Sequence, residues 1–215
     1  MTPAAYRQFL IQLLAEESIV HFTEPSVRRS ADRSCSIGWP NRRALAAQKL
    51  LTEYSIQEYV TDLHDNNYSC LLPDAAFLQI EYRLETASLS YHRYCYVPAP
   101  FDLGEEIVRP DEIENVIDRA ASINTSDVRL KTKLRFEFDE MQTTPEHPKS
   151  HLHVHCPACR IPVKSFIGVH SFFRFIYKHF YPEYFALSRV LRRRRNDGGG
   201  DLLSDQERSD AHVGR

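Results

Sequence analysis

Residues 77–97 read FLQIEYRLETASLSYHRYCYV, and the period of this stretch decides the fold class. Leu78, Ile80, Tyr82 and Leu84 alternate with Phe77, Gln79, Glu81 and Arg83. After a short link at 85–87, Leu89, Tyr91, Cys95 and Val97 alternate with Ser90, His92, Tyr94 and Tyr96, with Arg93 interrupting the first set. Period two is the signature of strands whose faces differ, and two such runs across a short link predict an antiparallel hairpin. A short strand at Tyr68–Leu72 is expected before it, ended by Pro73 and Asp74, and Pro98 and Pro100 stop the second run.

Outward from the hairpin the period changes to helical. Residues 4–20 predict a helix with Tyr6, Phe9, Leu10, Leu13 and Leu14 at its apolar spacing, and residues 42–64 a second through Leu45, Leu50, Tyr54 and Leu63. Between them, residues 23–42 read as a connector rich in Ser, Pro and Arg. A short helix is expected at 111–121 and an aromatic-rich one at 170–191, which Pro182 must break or kink. Residues 128–138 alternate Val128, Leu130, Leu134 and Phe136 with Arg129, Lys131, Lys133, Arg135 and Glu137, which predicts a strand with a basic row along one face. The expectation is an α+β domain: an antiparallel sheet of about five to seven strands with helices packed on one face and a disordered C-terminal tail. The organisation read from composition is an N-terminal helix and connector (1–42), a core domain (43–195) and the tail (196–215).

Composition narrows the chemistry. The chain has 215 residues and 7 glycines, four of them beyond Asn196, so no glycine cluster in the body could cradle a phosphate or a dinucleotide. The net charge of -2 gives no global field for nucleic acid, so such binding would need a local basic patch. No apolar run is long enough to span a membrane, and no membrane role is expected. Five cysteines without a dense disulfide pattern suit a reducing compartment, and the cytoplasm is the expected address.

The candidate site is the segment His147-Pro148-Lys149-Ser150-His151-Leu152-His153-Val154-His155-Cys156-Pro157-Ala158-Cys159-Arg160-Ile161-Pro162. On a strand, His151, His153 and His155 share one face while Leu152 and Val154 share the other, so the apolar pair should face the core and the histidines water or a cleft. Two imidazoles two residues apart can direct ring nitrogens at one divalent metal such as zinc, with His147 as a third ligand from the loop. Cys156 and Cys159 form half of a zinc site, and the other half would have to come from nearby histidines. If strand 128–138 pairs antiparallel with the histidine strand, Arg135 and Glu137 join His151 and His153 on one polar face, with Glu81 and Arg83 alongside. Arg160 follows closely. That set can run acid–base chemistry on a phosphodiester: His or Glu moves protons and Arg stabilises developing negative charge. The same charges would serve equally as solvated cross-strand pairs.

The order His147, Pro148, two residues, His151, one residue, His153, then Arg160, Ile161 and Pro162, resembles an uncharacterised bacterial protein family, a domain of unknown function. The stretch from Asp74 to Pro100, with Gln79, Pro98 and Pro100, and the helix around Phe172 to Pro182 are similar to it too, so the resemblance covers roughly residues 50–184. It implies no activity. The cysteine pair is not a fixed feature of that family, which argues against a metal site that depends on it. A looser likeness to small bacterial toxin components whose sheet ends in a His-rich motif implies an RNase-like or toxin-like effector acting on nucleic acid. The readings that stand beside it are a non-enzymatic interaction subunit with a protein partner encoded nearby, and a domain tied down by structural zinc.

Overall fold

The computed structural model describes residues 1–40, 55–101, 108–109, 112–122, 128, 131–142, 144, 147–155, 158–195, 199–209 and 212–213. The helices among them are α1 (Pro3–Ala15), α2 (Ile56–His64), α3 (Ile113–Ala121), α4 (Val169–Phe180), α5 (Pro182–Leu187), α6 (Arg189–Arg192) and α7 (Asp205–Ser209). The strands are β1 (His21–Phe22), β2 (Ser26–Arg29), β3 (Cys35–Gly38), β4 (Cys70–Leu71), β5 (Phe77–Glu85), β6 (Ser88–Val97), β7 (Leu134–Asp139), β8 (Ser150–Val154) and β9 (Arg160–Pro162). They form one nine-stranded sheet in the order β1-β4-β5-β6-β7-β8-β9, in which β3 also pairs with β5 and β2 with β3. The pairings are antiparallel, so the chain is α+β as its periodicities predict.

The hairpin at the centre is the one read from residues 77–97. Its turn places Thr86 and Ala87 at φ 47° and 73°, the two left-handed positions that a tight hairpin turn requires. Leu78, Ile80, Tyr82, Tyr94, Tyr96, Phe136 and Leu152 project to one face and pack under Tyr6, Phe9, Leu10 and Leu13 of α1 and Phe172, Phe173, Ile176 and Tyr177 of α4. This aromatic face is joined by ring contacts such as Phe9 with Phe173 (5.0 Å) and Tyr94 with Phe172 (5.3 Å). It is the helical layer expected on one face. In addition, α2 and α3 cover one end of the opposite face, where Tyr59, Leu63, Val116 and Ile117 pack against Phe77, Cys95 and Val97. The rest of that second face carries no helix among the described residues.

Two segments differ from the expectation. The connector 23–42 contributes β2 and β3, because Val27 and Ile37 pair across a turn and Ile37 then docks on Tyr82 of β5. Strand 128–138 shrinks to Leu134–Asp139. Of its basic row only Arg135 stands on the strand among the described residues: Lys131 and Lys133 precede it, the exposed Lys131 donating to the Phe101 carbonyl (3.2 Å), and Arg129 lies outside the described residues. Pro182 splits the last long helix as expected, and Glu16 of the α1–β1 junction accepts from the Arg189 backbone at the start of α6. Of the helix expected over 42–64, residues up to 54 lie outside the described ones. The remainder is α2, closed by a capping box between Ser55 and Glu58. The tail expected from 196 falls partly outside the described residues as well. In the described part, Leu203 is buried and Val213 bridges Val163 beside β9.

Candidate functional site: histidines and arginines around Glu137

The register of the sheet sets the site. On the face away from α1 and α4, one row across the strands is Glu81, Arg93, Glu137, His151, and the next is Gln79, Cys95, Arg135, His153, Arg160. Period two does the rest: Arg135 and Glu137 on β7 and His151 and His153 on β8 must share this face because Phe136 and Leu152 are committed to the aromatic one.

Glu137 is the hub. Its Oε1 accepts from Arg93 Nε at 2.8 Å and lies 3.1 Å from Arg135 Nε. Its Oε2 lies 3.2 Å from Nε2 of both His151 and His153. His151 Nδ1 is 2.8 Å from the Pro148 carbonyl oxygen, an acceptor only, so that nitrogen carries a proton. Its Nε2 then either bears a second proton toward Glu137 or presents a lone pair to it. The rings of His147 and His153 both stand edge-on to that of His151, with centroids 4.6 Å away in each case.

Of the two settings that the alternation allows, water or a cleft, the histidines do not take open water. His151 is 1% exposed and His153 5%, because each ring is walled in by its neighbour, by Glu137 and, for His151, by the 147–149 turn. Access is from the rim, where His147, Glu137, Arg93 and Arg160 are half-buried. Burial pushes the charged forms of His147 and His153 down, and His151 and an arginine (Arg160 beside His147, Arg135 beside His153) push the same way. Burial would raise the Glu137 carboxyl, but hydrogen bonds from His151 and His153 and the guanidiniums of Arg135 and Arg93 outweigh it and hold the group well below the usual carboxylate range. Among the described residues, three buried polar atoms at this cluster have no hydrogen-bond partner: Nδ1 of His147, Nδ1 of His153 and Nε of Arg160.

Of the residues singled out in the sequence, the structure brings together His147, His151, His153, Arg135, Glu137 and Arg160. Cys156 lies outside the described residues. Cys159 is half-buried and unpaired by disulfide, and its sulfur is not in the donor group that could hold an ion: Glu137, His151 and His153, whose ligand atoms all lie within 4.8 Å of one another. His155 leaves the strand with φ 67° and is exposed. Sequence reasoning missed Arg93 as a site residue. The signal was present, since it is the one charge that breaks the apolar alternation of β6.

The 3.2 Å spacing of Glu137 Oε2 from each imidazole nitrogen suits ligands of one ion at about 2.0–2.2 Å. The charges suit it less well, since two guanidiniums already hold the other oxygen of the same carboxylate. Among the described residues around this hub, the cations Arg93, Arg135 and Arg160 outnumber the carboxylates of Glu137 and Glu81, a balance that favours an anion.

Fold and site together define a class: an α+β protein with a buried imidazole and guanidinium cluster on the uncovered half of an antiparallel sheet. The chain belongs to the family described as an uncharacterised conserved protein, DUF2290, whose profile matches residues 18–214. No curated protein and no solved structure matches the chain.

Proposed function

We propose that the chain is an RNase-like effector that cleaves a phosphodiester by acid–base chemistry at the histidine cluster. The observation that carries this reading is the set of unpartnered buried atoms, His147 Nδ1, His153 Nδ1 and Arg160 Nε, around a hub with excess positive charge. Buried polar atoms are almost always paired, and a group of them at one place points to a ligand that pairs them. An anionic oxygen is the complement of Arg160. A neutral imidazole, the form that burial favours for His147 and His153, accepts the proton of an attacking hydroxyl. In RNA that hydroxyl is the neighbouring 2′-OH. Its oxygen bonds to phosphorus as the bond to the 5′-oxygen breaks, the leaving oxygen takes a proton from His151, and the products are a 2′,3′-cyclic phosphate and a free 5′-hydroxyl. Glu137 orients His151 and His153, and Arg93 and Arg135 keep it ionised.

The test is cleavage of a 5′-labelled single-stranded RNA by purified protein. His147→Ala and Arg160→Ala, on the rim, should each lower the rate about 100-fold or more while the far-ultraviolet circular dichroism is unchanged. Full activity in both variants would overturn the reading.

A second reading is supported by the three converging donors: Glu137, His151 and His153 hold a divalent ion. Elemental analysis decides between the two. About one zinc per chain, lost together with activity in chelator, would favour the ion, and chelator-resistant cleavage would favour imidazole chemistry alone.

A further inference from the structure

The row beyond Glu81 and Arg93 on the same face runs Arg28, Ser36, Arg83, Tyr91, Asp139 across β2, β3, β5, β6 and β7. Two guanidiniums lie near Tyr91: Arg83 stands 5.8 Å and Arg93 5.9 Å from its ring centroid. Arg28 and Arg83 are exposed, and Tyr91 is half-buried. Arg93 is shared, because the same side chain that flanks Tyr91 also donates to Glu137 at the hub. The row therefore continues into the site.

Resting on the RNase-like reading, we infer that this face is a track for single-stranded nucleic acid, with Tyr91 as the platform on which the base next to the scissile phosphate stacks. The chemistry of the row matches that partner. An aromatic ring on an open sheet face offers its π-surface to an unstacked base, and guanidiniums beside it neutralise the backbone and stack in their turn. On the uncovered face Arg28, Arg83, Arg93, Arg135 and Arg160 stand against Glu81, Glu137 and Asp139. A chain of net charge -2 has thus gathered local positive charge where the histidines are. A duplex keeps its bases stacked on one another and cannot use Tyr91, so single strands should be preferred.

The experiment is fluorescence anisotropy with a labelled single-stranded DNA, which lacks the 2′-OH and so reports binding without chemistry. The native protein should bind it, and bind the matching duplex more weakly. Tyr91→Leu and Tyr91→Ala should weaken binding about tenfold, while Tyr91→Phe, which keeps the ring, should stay within about twofold. The double variant Arg28→Ala with Arg83→Ala should flatten the dependence of log affinity on log salt by about 1.4. Native affinity in Tyr91→Leu, or equal binding of duplex and single strand, overturns the track. RNA cleavage that persists in those variants at the native kcat/KM would leave the RNase-like reading standing without it. Tyr91-dependent binding with no cleavage of RNA would do the reverse.

Discussion

His92 and His151 are each 1% exposed, two strands apart, on opposite faces of one sheet, and their surroundings share almost nothing. His92 lies flat on Tyr94 at 4.3 Å, with Phe138 nearby, and among the described residues no side chain hydrogen-bonds to either of its ring nitrogens. Burial pushes its pKa down to about 3, so it serves the aromatic face as a neutral ring. His151 has a carbonyl at one nitrogen and a carboxylate at the other. Burial alone therefore does not mark a working histidine. What sets His151 and His153 apart from His92 is the Glu137 carboxylate at Nε2, which β7 presents only on the uncovered face.

The largest effects that test this contrast fall on the structural side. Phe172 is fully buried between Tyr94, Phe136 and Phe173, and Phe172→Ala should cost about 3–5 kcal/mol in urea unfolding while the remaining folded protein keeps the site's chemistry. On the other face, Glu137→Ala leaves two guanidiniums and two imidazoles around an empty hub. It should cost about 3 kcal/mol and abolish activity together, whereas Glu137→Gln should recover part of the stability and little of the activity. If Glu137→Ala were as stable as the native chain, the hub would not organise the face.

Acidity separates the faces further. The native His92 refuses a proton that the unfolded chain accepts at its ordinary 6.5, so the unfolded state binds more protons between about pH 6.5 and 3. Stability should be whole above that window and fall by up to about 1.4 kcal/mol per pH unit below 6.5. His92→Phe preserves the stack on Tyr94, so it should change stability at pH 7 by only about 1 kcal/mol or less and make the acid slope shallower. An unchanged slope, measured as urea midpoints across this range, would contradict the assignment of His92 as a buried neutral ring.

Much of this was legible in the sequence, for reasons that can be traced to residues. Strict alternation over 77–97 gave the hairpin and its two faces, and alternation at 151–154 placed His151 and His153 opposite Leu152. The antiparallel pairing of β7 with β8 then brought in Arg135 and Glu137. Three things could not be read. β2 and β3 each hold a single branched aliphatic residue, the exposed Val27 and the buried Ile37, in a stretch dominated by turn-forming residues. The alternation at Val128 and over 131–133 continues a strand pattern that the described backbone there does not follow. And nothing local distinguishes His92 from His151, because what separates them is the face each turns to, one packed under helices and the other carrying Glu137.

The account rests most directly on one paired comparison: His92→Phe and His151→Phe, matched for folding by circular dichroism, assayed on the same single-stranded RNA. It predicts that His92→Phe cleaves within about twofold of the native chain and His151→Phe at least about 100-fold more slowly. Equal activity in the two variants, or an inactive His92→Phe that remains folded, would contradict it.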